Sequence, residues 1–167
     1  MLQKYQNIEL QFKYSYIYNG LGCDKNVRKF FIEACNYMLD RGWIHKTNDV
    51  DTFIDNMLSN DMSALCCYES NKLDIIGVIG WYYNCKNSCW VSCIYVKEEY
   101  RHKGVFLRLW EEFLMIMKDI KASKVQLGTY VLNEYMIDLN NKLGLKEDYR
   151  VFSGEVDQLL TQIKKGE

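Results

Sequence analysis

The sequence predicts an α/β fold in which a mixed, mostly antiparallel sheet is covered by helices. Three observations carry this. Short runs rich in β-branched and aromatic residues are separated by polar turns, apolar residues recur at helical spacing in the stretches between, and one strand runs through a basic, glycine-containing loop directly into a helix. The 167 residues suit one domain, 1–167, of a size that buries roughly 70% of the unfolded surface.

The first strand is read from Ile8-Glu9-Leu10-Gln11-Phe12-Lys13-Tyr14, which alternates apolar and polar side chains. From Asp24 the period changes: Val27, Phe30, Phe31, Ala34 and Met38 share one helix face, with Asp24 as the N-cap and Gly42 beyond the end. A shorter helix carries Val50, Phe53, Ile54, Met57 and Leu58 after Asn48-Asp49. Three β-rich runs follow, Ala64 to Tyr68, Ile75 to Tyr83 and Trp90 to Val96. The turns between them, Glu69-Ser70-Asn71-Lys72 and Asn84-Cys85-Lys86-Asn87, make them an antiparallel meander. After Gly104 the helical period returns in Phe106, Leu109, Trp110, Phe113, Ile116, Met117 and Ile120. Val125 to Val131 is the next strand. Asn133 caps a helix through Met136, Ile137, Leu139 and Leu143, which Gly144 ends with Leu145 folding back. A last strand is expected at Tyr149 to Val156 and a terminal helix through Leu159, Leu160 and Ile163.

Composition excludes several classes. Lysine and arginine number 21 against 22 acidic residues, so the net charge of −1 supplies no global field for nucleic acid, which makes nucleic acid an unlikely partner. No apolar run is long enough to span a bilayer, and the first residues lack a signal-peptide core, so a soluble, cytoplasmic protein without a membrane partner is expected. The seven cysteines form no C-x-x-C pair and only His45 and His102 accompany them; they read as reduced core thiols, with no metal site. Proline is absent, so the turns rest on Gly, Asn and Asp. The four tryptophans, Trp43, Trp81, Trp90 and Trp110, fall on apolar faces and read as core.

The most informative segment runs from Cys93 through Ile94-Tyr95-Val96 and Arg101-His102-Lys103-Gly104 to Val105-Phe106-Leu107. A strand that passes through such a loop into a helix gathers unpaired N–H groups and the positive end of a helix dipole at one point, which suits a phosphate. Arg101, His102 and Lys103 add side-chain donors beside it.

The element order and this loop resemble the GNAT N-acetyltransferase family, whose acetyl-CoA loop reads Q/R-x-x-G-x-G/A. Here it reads Arg101-His102-Lys103-Gly104-Val105-Phe106. Downstream, Asn133-Glu134-Tyr135-Met136-Ile137-Asp138-Leu139-Asn140-Asn141-Lys142-Leu143-Gly144-Leu145 is similar to the family's N-x-x-A-x-x-L-Y-x-x-x-G-F. The resemblance spans nearly the whole chain by element order and residues 93–145 by motif. It implies a central, mixed, mostly antiparallel sheet of six or seven strands flanked by helices, and an enzyme that passes an acetyl group from acetyl-CoA to an amine acceptor.

By the same resemblance, Ile94, Tyr95 and Val96 splay from the next strand and offer backbone groups to the pantetheine amides. The N–H groups from His102 to Leu107 take the pyrophosphate, and Asn133 and Asn140 lie along the arm. Phe106 stands where the family has Gly or Ala, Glu98 where it often has Pro, and Asn140 where many members carry a thiolate-protonating Tyr. Ser88 to Val96 holds no carboxylate to act as general base; Ser92 could orient a water, Tyr130 could donate a hydrogen bond to the departing thiolate or pack in the pocket, and proximity of thioester and amine is a further source of rate. His45 falls in the acceptor region of the resemblance or is an exposed loop residue, and Asp49, Asp51, Asp55 and Asp61 would suit a cationic acceptor or equally a solvated helix face. A catalytically silent module that binds CoA or mediates protein contacts is the alternative, and a homodimer stays open.

Overall fold

The structure, a computed structural model, describes residues 9–17, 24–42, 50–58, 62–70, 72, 74–84 and 87–147. The chain divides into two compact units, Met1–Leu132 and Asn133–Glu167.

The first unit is built on a sheet of five strands, β1 (Leu10–Ile17), β2 (Met62–Glu69), β3 (Ile75–Asn84), β4 (Ser88–Val96) and β5 (Lys124–Leu127), in that spatial order. The first three pairings are antiparallel, and β4 pairs with β5 in parallel. The mixed, mostly antiparallel sheet is therefore present. The expected strand at Tyr149 to Val156 and the terminal helix lie outside the described residues. Strand extents are corrected: β2 and β4 each begin two residues earlier than expected, at Met62 and Ser88. β1 runs three residues further, to Ile17, and β5 stops at Leu127 rather than Val131.

Helix α1 (Lys25–Asp40) begins where Asp24 accepts the Asn26 N–H at 2.8 Å and ends at Gly42, whose φ of 65° continues no helix. Its buried stripe, Val27, Phe30, Phe31, Ala34 and Cys35, packs in one cluster with Cys66, Val78, Cys93 and Tyr95. The fit is close at Gly80, where a Cβ would come within 3.2 Å of Phe31 Cζ. Helix α2 (Val50–Leu58) adds Ile54 and Leu58 to the same cluster, and Arg28 of α1 bridges its Asp51 and Asp55 at 2.9 Å each. Helix α3 (Val105–Asp119) occupies the opposite face, where Phe113 meets Trp81 edge-on with ring centroids 5.1 Å apart. Trp81 and Trp110 are core residues, as expected; Trp90 is half-buried, and Trp43 lies outside the described residues.

The second unit is described through α4 (Glu134–Lys142). Asn133 accepts the Met136 N–H at 3.2 Å, and the far end closes with Leu145 N–H to Asn140 O and Gly144 N–H to Asn141 O, both at 3.0 Å. That pair of bonds, with Gly144 at φ 82°, is a Schellman terminator.

Candidate active site

The geometry of interest begins with a bulge. Gly80 faces Cys93 but Trp81 faces Val91, so Ser92 is an extra residue on β4. Its hydroxyl donates to Gly80 O at 3.1 Å. On the other side the parallel ladder pairs Ser88 with Lys124 and ends at Val91 with Leu127. β4 then runs on to Val96 with no described strand beside it.

Which backbone groups this edge presents follows from the pairing with β3. Lys97 N–H donates to Ile76 O at 2.9 Å, which makes that pair hydrogen-bonded. Hydrogen-bonded pairs alternate along an antiparallel ladder, so Tyr95 turns its backbone to Val78, while Ile94 and Val96 turn theirs to the open side. Of the three expected residues, Ile94 and Val96 thus supply the edge. Tyr95 supplies a ring packed against Phe30 and Tyr37 instead, and burial pushes its hydroxyl up to about 12.

A 3₁₀ turn at Glu98–Tyr100 leads from β4 to the loop. The Tyr100 hydroxyl donates to Glu69 Oε2 at 2.8 Å, and Lys72 Nζ reaches the same oxygen at 2.6 Å. Lys72 first, then Tyr100, holds the Glu69 carboxyl below its ordinary value of 4.5. The loop turns through two left-handed residues, His102 at φ 59° and Gly104 at φ 81°. Gly104 brings no side chain to cap α3, and the first helical bond runs from Arg108 N–H to Gly104 O at 3.1 Å. The N–H groups of Val105, Phe106 and Leu107 therefore have no partner within the helix. The Phe106 ring stacks on Trp110 at 6.3 Å and 8°.

The profile of the acetyltransferase (GNAT) family matches residues 29–145, most of the chain. The protein belongs to the GNAT acetyltransferases. No curated protein matches it by sequence. Among solved structures it is similar to a GNAT-family acetyltransferase of Staphylococcus aureus Mu50, at 16% identity and TM-score 0.67 over 85% of this chain and 87% of that one. A predicted acetyltransferase of Clostridium acetobutylicum, solved with acetyl-CoA, gives 12% and 0.63 over 90% and 98%. An aminoglycoside acetyltransferase from an uncultured soil metagenomic sample, solved with sisomicin, gives 12% and 0.61 over 88% and 96%. At these identities the likeness is one of fold.

Within this GNAT chain the first unit brings together Ile94, Val96 and the loop from Arg101 to Leu107. Arg101 is placed differently from expectation: its guanidinium turns to Val96 O at 2.9 Å and to the Tyr37 hydroxyl. Lys103 Nζ lies 5.6 Å over the Tyr100 ring, and the His102 side chain is exposed. Tyr130 is half-buried, three residues beyond the end of β5. In the second unit Asn133 spends its carbonyl oxygen on the helix cap, and Asn140 lies in the last turns of α4. Asp51 and Asp55 are both paired with Arg28, while Asp49, Asp61 and His45 lie outside the described residues. Among the described residues no three His, Cys, Asp or Glu gather as a metal site, and no helix is long and apolar enough to cross a membrane. Sequence reasoning missed Glu69, Tyr100 and Tyr37. No local pattern marks them, since the Arg101–Tyr37 contact joins residues 64 apart.

Proposed function

We propose that this GNAT acetyltransferase moves an acetyl group from acetyl-CoA to a primary amine by direct attack, acting as one catalytic domain in the cytoplasm. The observation that carries the reading is the β4 edge. The ladder with β5 stops at Val91 and Leu127, the strand continues to Val96, and an uncapped helix end follows at Gly104. An extended chain with two amides and a pyrophosphate matches a strand edge followed by a helix N-terminus. The family match runs from 29 to 145 across the boundary between the two units, which supports a single domain.

In this reading Ile94 and Val96 hold the pantetheine amides, and the N–H groups of the loop and of Val105 to Leu107 take the pyrophosphate. Holding thioester and amine together supplies much of the rate. The amine nitrogen forms its bond to the carbonyl carbon as the carbon–sulfur bond breaks. Tyr130 donates a hydrogen bond to the leaving thiolate, and the aminium proton passes to water near Ser92, whose side chain is exposed at the bulge.

A silent CoA-binding module remains the second reading, favoured by the lack of any carboxylate from Ser88 to Val96. A screen of amines that follows release of the CoA thiol separates the two. Turnover with any amine supports the enzyme; tight CoA binding with no thiol release across polyamines, aminoglycosides and peptide amines supports the module.

A further inference from the structure

Arg101 opens the loop, and its guanidinium is held by partners on β4 and α1. Nε donates to Val96 O at 2.9 Å and Nη1 donates to the Tyr37 hydroxyl. The guanidinium carbon lies 4.2 Å from the Tyr37 ring centroid and 5.5 Å from that of Tyr95. Arg41 also stacks on Tyr37, at 3.8 Å, and reaches Glu98 Oε1 at 3.4 Å. The end of α1, the end of β4 and the 3₁₀ turn are thereby tied at one point.

The carbonyl that Arg101 takes belongs to the open edge. Without that bond the edge would offer N–H and C=O at both Ile94 and Val96, and an amide chain could pair in more than one register. With it, Val96 C=O already holds one charged donor, and Ile94 N–H, Ile94 C=O and Val96 N–H become the favoured partners for an amide chain. We propose that Arg101 is a positioning residue that, seated on Tyr37, occupies the Val96 carbonyl and so fixes the register of a donor's amides on β4, rather than a ligand of the donor's phosphates. This rests on the acetyl-CoA reading above. A guanidinium carries the two separate donors, Nε and Nη1, that these contacts use; an ammonium keeps the charge but not this geometry.

The two halves of the donor separate the roles. Calorimetry of the folded wild type, Arg101→Lys and Tyr37→Leu would use S-acetylpantetheine, which has no phosphate, and adenosine 3′,5′-bisphosphate, which has no amide arm. Both variants should weaken S-acetylpantetheine about tenfold, because the strand end that presents Ile94 and Val96 loses the bond that orders it in advance, and leave the bisphosphate within about twofold. Gly104→Asp should show the reverse pattern. Wild-type affinity for S-acetylpantetheine in Arg101→Lys, or a loss confined to the bisphosphate, would overturn the inference alone. A wild type that does not bind acetyl-CoA would overturn the donor reading and the inference with it.

Discussion

The Tyr100 hydroxyl and the Glu69 carboxylate meet at 2.8 Å, joining the turn before the loop to the end of β2. Lys72 on the same oxygen, and then this bond, hold the Glu69 carboxyl below 4.5. A carboxylate with a lowered folded value contributes stability that is complete above its unfolded value and is lost as pH falls through the folded one. The melting temperature of the wild type should therefore fall more steeply than that of Glu69→Gln between about pH 5.5 and 3. Parallel curves would show that the contact adds nothing.

Gly104 has φ 81° and stands at the N-terminus of α3. Any L-residue there costs about 1–2 kcal/mol in backbone strain, which Gly104→Ala should show as lowered stability. Gly104→Asp adds a negative charge at the positive end of a helix that must take phosphate, and should abolish acetyl-CoA binding in a protein that still folds. Unchanged affinity by calorimetry would move the donor site elsewhere.

The five described cysteines, Cys35, Cys66, Cys67, Cys89 and Cys93, are buried. Burial pushes the thiols of Cys67, Cys89 and Cys93 up to about 12, so they stay neutral and unreactive near neutral pH. A thiol reagent should reach these five only at the rate of unfolding, and the denatured chain should titrate all seven cysteines of the sequence. Rapid labelling of Cys93 in the native protein, read by peptide mapping, would contradict this burial.

Asn140 stands where many relatives carry the thiolate-protonating Tyr. An amide donates a hydrogen bond but cannot usefully deliver a proton, so Asn140→Ala should lower kcat less than about tenfold, or about 1.4 kcal/mol. A loss of several hundredfold with CoA affinity intact would give Asn140 a direct role. Asn140→Tyr should raise turnover if the missing phenol is what limits it.

What the sequence made legible was what local pattern encodes. The period of Val27, Phe30, Phe31 and Ala34 located α1, and Gly104 between a strand and a helix located the loop. The end of β5 was not legible, because Val131 continues an apolar run and nothing near it shows that the ladder with β4 stops at Val91. Arg101 read as a phosphate donor because its charge is visible in sequence while its seat on Tyr37, a helix away, is not. The pairing of Asp51 and Asp55 with Arg28, on a neighbouring helix, was equally hidden from the sequence.

Ser92 has one more consequence. Cys89 and Val91 lie on the α3 side of the sheet, whereas Cys93 and Tyr95 lie toward α1, although a regular strand would point all four the same way. The additional residue is what lets both halves of β4 keep their proper faces while the strand bends between them. Deleting Ser92 would consequently leave every neighbour facing as it does now and remove only the bend. The bend in β4 thus depends on a single codon, and an in-frame deletion there would make its ladder with β3 regular from Gly77 to Asn84.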